Sequence, residues 1–334
     1  MNEQSFHRVR PVALNEPFVF GASTEKNRPD LNYAVSFDPE AYRHLSRYVQ
    51  ALGWNTLLDG ARFLKGSSVL DLGFGHGGNL AHLARELHDI DCVVFGLDKS
   101  PDMVQSAQAN YPSSEYPNLT FLEGSAETAG DVVGEYQRKS RHNNLRFACI
   151  VSNYTLHWVR DPLDPVKFLH REVFKSLNCL QPLEGEQRHF CAHVDAFKEL
   201  FEAGYETMRR DSRWGEYFDV RPGDYSVDGE WRHPPLVTEN GITSDLIAAG
   251  YRAKAEVRTD ERVFPDIAML KAWVGAMIRP FMNRIPEDRK SDFVEAWMRT
   301  YVELNPWALR EDGSALLIDR NILVVAHKER ELGA

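Results

Sequence analysis

The chain alternates short apolar runs with longer stretches in which apolar residues recur every three or four positions. The run Ser68–Leu72 has the length of a buried strand, and apolar residues follow it at Leu80, Leu83, Ala84 and Leu87. The first pattern is typical of a strand in a parallel sheet and the second of an amphipathic helix. Because the alternation recurs along the chain, the sequence predicts an α/β protein.

The same pattern places seven strands and nine helices. Strands are expected at Ser68–Leu72, Asp91–Leu97, Leu119–Leu122, Arg146–Ser152, Arg188–His193, Tyr251–Val263 and Ala315–His327. Helices are expected at Pro39–Leu52, Trp54–Phe63, Asn79–Leu87, Pro101–Tyr111, Leu163–Leu177, Ala196–Met208, Thr243–Ala249, Ala268–Met277 and Asp288–Leu304. The stretch Asp131–Asn144 is interpreted as a polar insert between two strands.

Glycines follow the first strand directly, at Gly73, Gly75 and Gly77. In open parallel sheets ligands bind beyond the carboxyl ends of the strands, where glycine lets the backbone approach them closely. Asp98 ends the second apolar run, about 20 residues on, where an acid accepts hydrogen bonds from ribose hydroxyls. Asp71 lies two residues before the first glycine. A carboxylate at this position favours a ligand with an ammonium group over a pyrophosphate. These positions predict a nucleotide-type site.

The two motifs together resemble the class I S-adenosylmethionine-dependent methyltransferases. The family's first motif runs apolar-Leu-Asp-x-Gly-x-Gly-x-Gly, and its second is similar to Gly96-Leu97-Asp98-x-Ser100-x-x-Met103. The resemblance implies a doubly wound, Rossmann-like sheet of seven mostly parallel strands with helical lid insertions, and a last strand that lies antiparallel at the sheet edge. It implies S-adenosylmethionine as cofactor, bound by Asp71, Gly73, Gly75, Gly77, Asp98, Lys99, Met103, Ser125, Ala126 and Asn153.

The resemblance also suggests where the methyl acceptor binds. The segment from Asn153 to Trp158 is similar to the family's Asn-x-x-Leu-(His or Gln)-Trp, in which His157 would orient the acceptor or act as a base and Trp158 would line the pocket. The alternative interpretation of His157 is a hydrogen-bonded, half-buried histidine, and that of Trp158 is a core side chain. By the same resemblance, an N-terminal helix would close over the cofactor with Tyr33, Phe37, Tyr42 and Arg43 facing its methionine tail.

The segment from Met269 to Ala296 is similar to the lid of the trans-aconitate methyltransferases. These enzymes and the neighbouring juvenile-hormone-acid methyltransferases esterify carboxylates. Arg279 is therefore the candidate substrate-carboxylate clamp, because a guanidinium fork matches a carboxylate with two hydrogen bonds. The alternative interpretation of Arg279 is a solvated surface arginine or a charge at a helix C-terminus, and Arg284 is the second choice for the clamp.

Four parts of the chain are expected to have different roles. Residues 1–37 would form an N-terminal arm, 38–195 the cofactor-binding core, 196–310 the lid and substrate-pocket insertions with the sixth strand, and 311–334 the last sheet strand and tail. The arm could exchange between subunits, so an oligomer is one expectation.

Composition narrows the possible partners. The net charge of −10 argues against binding of nucleic-acid backbones, which need a basic field. No apolar run reaches the ~18 residues that span a bilayer, and the N-terminus has no apolar signal region, so we expect a cytoplasmic protein without membrane partners. The four cysteines form no C-x-x-C pair and the histidines have no metal-ligand spacing, so no metal site is expected.

Three functions remain open on the sequence. The first is O-methylation of a carboxylate on a small-molecule substrate, a specialised metabolite. The second is methylation of a hydroxyl, amine or carbon of a natural product. The third is cofactor binding without methyl transfer.

Overall fold

The computed structural model describes residues 7–12, 50–51, 53–140, 145–159, 168–182, 188–195, 198–217, 226–227, 230–231, 237–278, 282 and 285–328. The candidate residues Tyr33, Phe37, Tyr42, Arg43, Arg279 and Arg284 lie outside these ranges. The structure therefore bears on the nucleotide-type site, and on the carboxyl end of the fourth predicted strand.

The described elements follow the predicted order. The strands are β1 (Ser68–Leu72), β2 (Val93–Asp98), β3 (Leu119–Glu123), β4 (Phe147–Asn153), β5 (Arg188–Asp195), β6 (Ser226–Val227), β7 (Glu230–Trp231), β8 (Tyr251–Phe264) and β9 (Ala315–Lys328). The helices are α1 (50–51 and 53–60), α2 (Gly78–Leu87), α3 (Pro101–Asn110), α4 (Ala129–Lys139), α5 (His170–Leu177), α6 (Lys198–Arg210), α7 (Glu239–Ala248), α8 (Ile267–Met277) and α9 (Lys290–Leu304).

The main sheet has seven strands among the described residues, in the order β3-β2-β1-β4-β5-β9-β8. The first five pair in parallel, and β9 is antiparallel to both of its neighbours. This arrangement confirms the predicted α/β sheet of seven mostly parallel strands. The position expected for the last strand was wrong, because β9 lies inside the sheet and β8 forms its edge. The burial pattern gives the reason: β9 is buried on both faces along most of its length, whereas β8 exposes many side chains.

Two hydrophobic layers cover the sheet. Leu70 and Leu72 of β1 pack into a layer formed with α4, α5 and α7, whereas Val69 packs on the opposite side with α1, α2 and α3. Successive side chains of a strand point to opposite faces, so β1 contributes apolar side chains to both layers. This packing fixes the carboxyl ends of β1, β2 and β4 at one edge of the sheet.

A third hydrophobic cluster lies where β8 and β9 extend beyond the end of β5. Strand β5 pairs with β9 only from Asn321 onward, whereas β8 continues to pair with β9 as far as Ala315. Helices α6, α8 and α9 pack on this extension, around Leu317, Phe293 and Trp297. We call this group the helical cluster, and it lies beyond the carboxyl end of β5.

The described part of the N-terminal segment packs against the core. His7 forms an antiparallel bridge to Phe63, and the Arg10 guanidinium donates to the Glu86 carboxylate of α2 at 2.7 to 3.2 Å. The Asn55 side chain of α1 exchanges two hydrogen bonds with the backbone of Val12. Residues 7–12 are therefore held against α1 and α2 by pairs of specific hydrogen bonds.

One helix was missed by the sequence prediction, and another was predicted to begin too early. The stretch interpreted as a polar insert contains α4, which buries Ala129 and Val133 and leaves its charged side chains outside. This helix was missed because so few of its residues are apolar. Helix α5 begins at His170, since Phe168 and Leu169 before it are not helical.

Two glycines of α4 provide a paired test of its packing. A methyl group at Gly130 would lie 2.1 Å from the Ser176 carbonyl oxygen, whereas one at Gly134 would meet only the Arg138 side chain at 3.7 Å. We expect Gly130→Ala to lower the free energy of unfolding by about 1–3 kcal/mol through overpacking. Gly134→Ala should raise it by up to about 1 kcal/mol, because alanine favours a helix more than glycine does. Urea denaturation of both variants measures the difference, and equal effects would contradict this packing.

Candidate active site

The turn after β1 uses glycine where the backbone requires it. Gly73, Gly75 and Gly77 have φ angles of 75°, 59° and 80°, in the left-handed region that favours glycine. Gly77 caps α2, and the Gly73 N–H donates to the Leu97 carbonyl of β2 at 2.7 Å. The turn is therefore attached to the end of β2 and leads directly into a helix.

Asp98 joins this turn to the next one. Its carboxylate accepts hydrogen bonds from the Gly75 N–H and the Ser100 N–H, both at 2.9 Å. Burial raises the pKa of Asp98, and these two backbone hydrogen bonds act against the rise by stabilising the ionised form. Carboxylate oxygens have several acceptor positions, so Asp98 can still accept from ribose hydroxyls.

Asp71 is the most deeply buried acid of the site. Its side chain is in the interior of β1, at 3% exposure, and its Oδ1 atom has no hydrogen-bond partner among the described residues. Burial, and secondarily the charge of Asp98, raise the pKa of Asp71 well above its usual value. A buried carboxylate without a partner is unfavourable, so this position is suited to a ligand with a positive charge.

The end of β4 adjoins the same turn. The Asn153 and Asn79 side-chain amides both donate to the Gln50 carbonyl oxygen, at 3.1 and 3.3 Å. The Asn153 Oδ1 atom is buried and has no hydrogen-bond partner among the described residues. Asn153 therefore connects the N-terminal helix to the ligand edge and offers an acceptor there.

Thr155 fixes the distance between the glycine turn and the β4 end. Its hydroxyl donates to the Gly73 carbonyl at 3.2 Å. A methyl group at Gly73 would lie 2.1 Å from this hydroxyl oxygen, so glycine is required there for contact as well as for φ. Thr155 was not among the predicted site residues, because no local pattern marks a side chain that touches a turn so far away in the chain.

The remaining predicted cofactor residues lie around the ends of β2 and β3. Ser100 caps α3 by accepting from the Met103 N–H at 3.3 Å, and the Met103 side chain is buried. Ser125 precedes a short 3-10 turn in which Ala126 is buried. The Ser125 hydroxyl lies 3.3 Å from the Thr128 hydroxyl. Lys99 is exposed. The structure thus brings this set to one edge of the sheet, and their roles toward a cofactor stay predictions.

His157 and Trp158 share a 3-10 turn after β4, but they differ in exposure. His157 is buried, whereas Trp158 is 36% exposed, and their rings are 5.0 Å apart between centroids. The His170 imidazole of α5 lies 3.0 Å from the Leu156 carbonyl and anchors this turn to α5. Trp158 is thus available to line a pocket, and His157 lies against it.

A buried polar cluster beside β4 has no counterpart in the predicted residues. It joins the loop after β4 to β5, β8 and β9 through Tyr154, His193, Asp260, Arg262, Asp319 and Asn321. Its members come from four separate parts of the chain, and no local sequence pattern connects them. Only the tertiary structure reveals it.

Comparisons with known proteins agree with this geometry. The family described as "Methyltransferase domain" matches residues 69–177, which include the glycine turn, Asp98 and the segment after β4. Residues 69–177 are thus a methyltransferase domain, and the enzyme is S-adenosylmethionine-dependent. The match confirms the family predicted from the glycine and acidic motifs, and the enzyme uses S-adenosylmethionine as its cofactor.

Relatives of the methyltransferase are distant. It is 23% identical to juvenile hormone acid O-methyltransferase of Drosophila melanogaster over 71% of this chain and 72% of that protein. It is 26% identical to trans-aconitate 2-methyltransferase of Methylobacterium radiotolerans over 78% of this chain and 86% of that protein. The solved structure of loganic acid methyltransferase with SAH has a TM-score of 0.51 at 12% identity and covers 88% of this chain and 95% of that one, which shows a shared fold.

The residues present fit the cofactor. Two buried oxygen atoms, Asp71 Oδ1 and Asn153 Oδ1, lack hydrogen-bond partners within the described ranges, and S-adenosylmethionine carries an ammonium group that needs such acceptors. The left-handed glycine turn leaves its backbone open to close approach. No set of three or more metal-binding side chains, and no helix long and apolar enough to cross a membrane, occurs in the part of the chain that the structure describes.

The burial of Asp71 predicts opposite effects on stability and on binding. Because folding raises its pKa, the folded protein binds this proton more tightly than the unfolded chain does. Wild-type stability therefore falls as pH rises from the unfolded value near 4 through the folded pKa. Because asparagine is uncharged, we expect Asp71→Asn to raise the free energy of unfolding at pH 7.5 and to raise it much less at about pH 4. We also expect this variant to bind S-adenosylhomocysteine at least about tenfold more weakly.

Denaturant unfolding at the two pH values and calorimetric titration measure these effects. Asp89→Asn is the control, because that side chain is 97% exposed. A variant that is less stable than the wild type at pH 7.5, or that binds the cofactor product equally well, would contradict the interpretation of Asp71 as a desolvated ligand group.

Proposed function

We propose that this methyltransferase transfers the methyl group of S-adenosylmethionine to a carboxylate of a small molecule, a specialised metabolite. The observation that carries the proposal is the pair of curated relatives, which are named for juvenile hormone acid and trans-aconitate and align with 71% and 78% of this chain. Both named compounds are carboxylic acids.

The chemistry requires little acid–base assistance from the protein. When bound, S-adenosylmethionine supplies a methyl group on a sulfonium, which is already a good leaving group. A carboxylate acceptor is ionised at neutral pH and needs no general base. The protein has to orient the acceptor and exclude water.

The described residues support that division of work. Asp71 and Asn153 would bind the charged tail of the cofactor, and Asp98 would accept its ribose hydroxyls. His193, at the carboxyl end of β5, is a weak base, because burial and the nearby Arg262 lower its pKa to about 3. The helical cluster would act as the lid, and Trp158 would line the pocket between it and the sheet.

The group that binds the substrate carboxylate stays a prediction from the sequence. Arg279 is the proposed clamp, and it lies outside the described residues. Arg262 is an unsuitable clamp, because its charge is already paired with Asp319. His157 would orient the acceptor rather than remove a proton from it.

The nature of the product tests the acceptor class. The purified enzyme is incubated with methyl-labelled cofactor and a panel of small carboxylic acids, each beside its alcohol and amine analogue. We expect labelled products only from the acids, and mild alkali should release their label as methanol, since esters hydrolyse where ethers and amines do not. Label that resists alkali would replace the proposal with transfer to a hydroxyl, amine or carbon. Cofactor binding without labelled product would favour a protein that has lost methyl transfer.

The role of His157 predicts a modest mutational effect. With a carboxylate acceptor, we expect kcat to change little between pH 6 and 9, and His157→Asn to lower it by less than about tenfold. Loss of a true general base costs about 10²–10⁴-fold. Steady-state kinetics across this pH range provide the measurement, and a rising limb that His157→Asn abolishes would mean that the residue takes a proton.

A further inference from the structure

The polar cluster beside β4 includes a fully buried ion pair that the cofactor site does not use. The Arg262 guanidinium of β8 lies 3.2 Å from the Asp319 carboxylate of β9, and their side chains are 1% and 3% exposed. Burying two charges costs several kcal/mol per ion before their attraction offsets it. Such a pair adds little stability, so its value lies in the geometry that it imposes.

That geometry is directed at Tyr154. The Arg262 Nη2 atom donates to the Tyr154 hydroxyl at 2.8 Å, and the guanidinium lies 5.2 Å from the Tyr154 ring and 5.4 Å from the Trp273 ring of α8. On the other side, the His193 ring is 4.7 Å from the Tyr154 ring between centroids. The side chain is thus held between the helical cluster and the sheet.

The Tyr154 backbone is also unusual. Its φ of 54° is in the left-handed region, which an aromatic residue adopts rarely and at a cost of about 1–3 kcal/mol. Its N–H donates to the His193 carbonyl at 2.7 Å, which holds this conformation. The neighbours Asn153 and Thr155 contact Gln50 and the glycine turn, whereas the Tyr154 ring packs against the helical cluster. The strained residue therefore lies where the cofactor edge meets the proposed lid.

We propose that the Tyr154 hydroxyl donates a hydrogen bond to the methyl acceptor and that Arg262 is its positioning residue. This inference rests on the proposed function, in which the acceptor is a carboxylate. The bond from Arg262 occupies a lone pair of the phenol oxygen, so the hydroxyl proton points away from the guanidinium. A neutral donor orients one carboxylate oxygen without cancelling its charge, which preserves its ability to attack the methyl group.

The charge balance of the cluster limits the role of Tyr154 to orientation. Asp319 neutralises Arg262, and Asp260, whose carboxylate accepts from Asn321 at 2.6 Å, adds a further acid 3.8 Å from the His193 ring. A carboxylate acceptor would be a third anion here, so the charge of the cluster does not attract it. Tyr154 is therefore assigned to orientation, and charge recognition belongs to another part of the site.

The first test removes only the hydroxyl. We expect Tyr154→Phe to lower kcat/KM for the acceptor by about 10- to 100-fold, the range for a hydrogen bond to a charged group. Its affinity for S-adenosylhomocysteine should stay at the wild-type value. Its Tm should fall only modestly, because Arg262 loses one acceptor but keeps its pairing with Asp319. Tyr251→Phe is the matched control, since the buried Tyr251 hydroxyl accepts from Arg188 at 3.4 Å at the opposite end of the sheet. That variant should retain wild-type kinetics.

The second test asks whether Arg262 acts through Tyr154. Arg262→Lys keeps a positive charge beside Asp319 but loses the fork, and we expect it to lower kcat/KM in the wild-type background. In the Tyr154→Phe background the same substitution should have no further effect on kcat/KM. A purely structural role for Arg262 would lower Tm and activity equally in both backgrounds, and that outcome would overturn the positioning assignment.

The outcomes separate this inference from the proposed function. Wild-type esterification of a carboxylic acid with unchanged kinetics in Tyr154→Phe would overturn the role of Tyr154 and leave the proposed function intact. If the acceptor is instead a hydroxyl or amine, the proposed function fails. The same variants, measured with that acceptor, then decide the role of Tyr154 alone. A tenfold or larger loss of kcat/KM in Tyr154→Phe would support this role, and an unchanged kcat/KM would overturn it.

Discussion

The two hydrogen bonds to the Asp98 carboxylate are the contacts on which the rest of the site depends. They join the turn after β1, through Gly75, to the start of α3, through Ser100. Two neighbouring strands thereby present their ends to the same ligand. The same bonds keep an acid in a buried place, because backbone N–H groups replace the water that the carboxylate loses on folding.

Asp71 shows the cost of this arrangement. It lies in the sheet interior without a hydrogen-bond partner for Oδ1 among the described residues, close enough to Asp98 for the two charges to repel each other. A protein selected for stability alone would not retain this pair. A cationic ligand reverses the balance, since it supplies the charge that the folded chain lacks. The apo-protein is therefore destabilised at the point where the cofactor would stabilise it.

The end of β4 connects this edge to the helical cluster. Asn153 and Thr155 contact the N-terminal helix and the glycine turn, whereas Tyr154, between them, contacts Arg262 and His193. The left-handed conformation of Tyr154 makes the division possible, because it turns one side chain away from its two neighbours. Three consecutive residues therefore link the N-terminal helix, the cofactor turn and the extension of β8 and β9.

The sequence by itself determined the sheet, the glycine turn and the two acids. These features are encoded locally: Val69, Leu70 and Leu72 mark β1 as a buried strand, and glycine, aspartate and serine mark turns and caps by their own conformational preferences. Helix α4 was missed because so few of its residues are apolar.

Only the tertiary structure decided the place of β9 inside the sheet and the cluster around Arg262. The hydrogen bond from Arg262 to Tyr154 joins residues 108 positions apart, and no periodic pattern connects them. Strand order and buried polar contacts depend on which distant surfaces pack together. The choice among those surfaces is set by the burial summed over the whole chain, and no local stretch of sequence contains it.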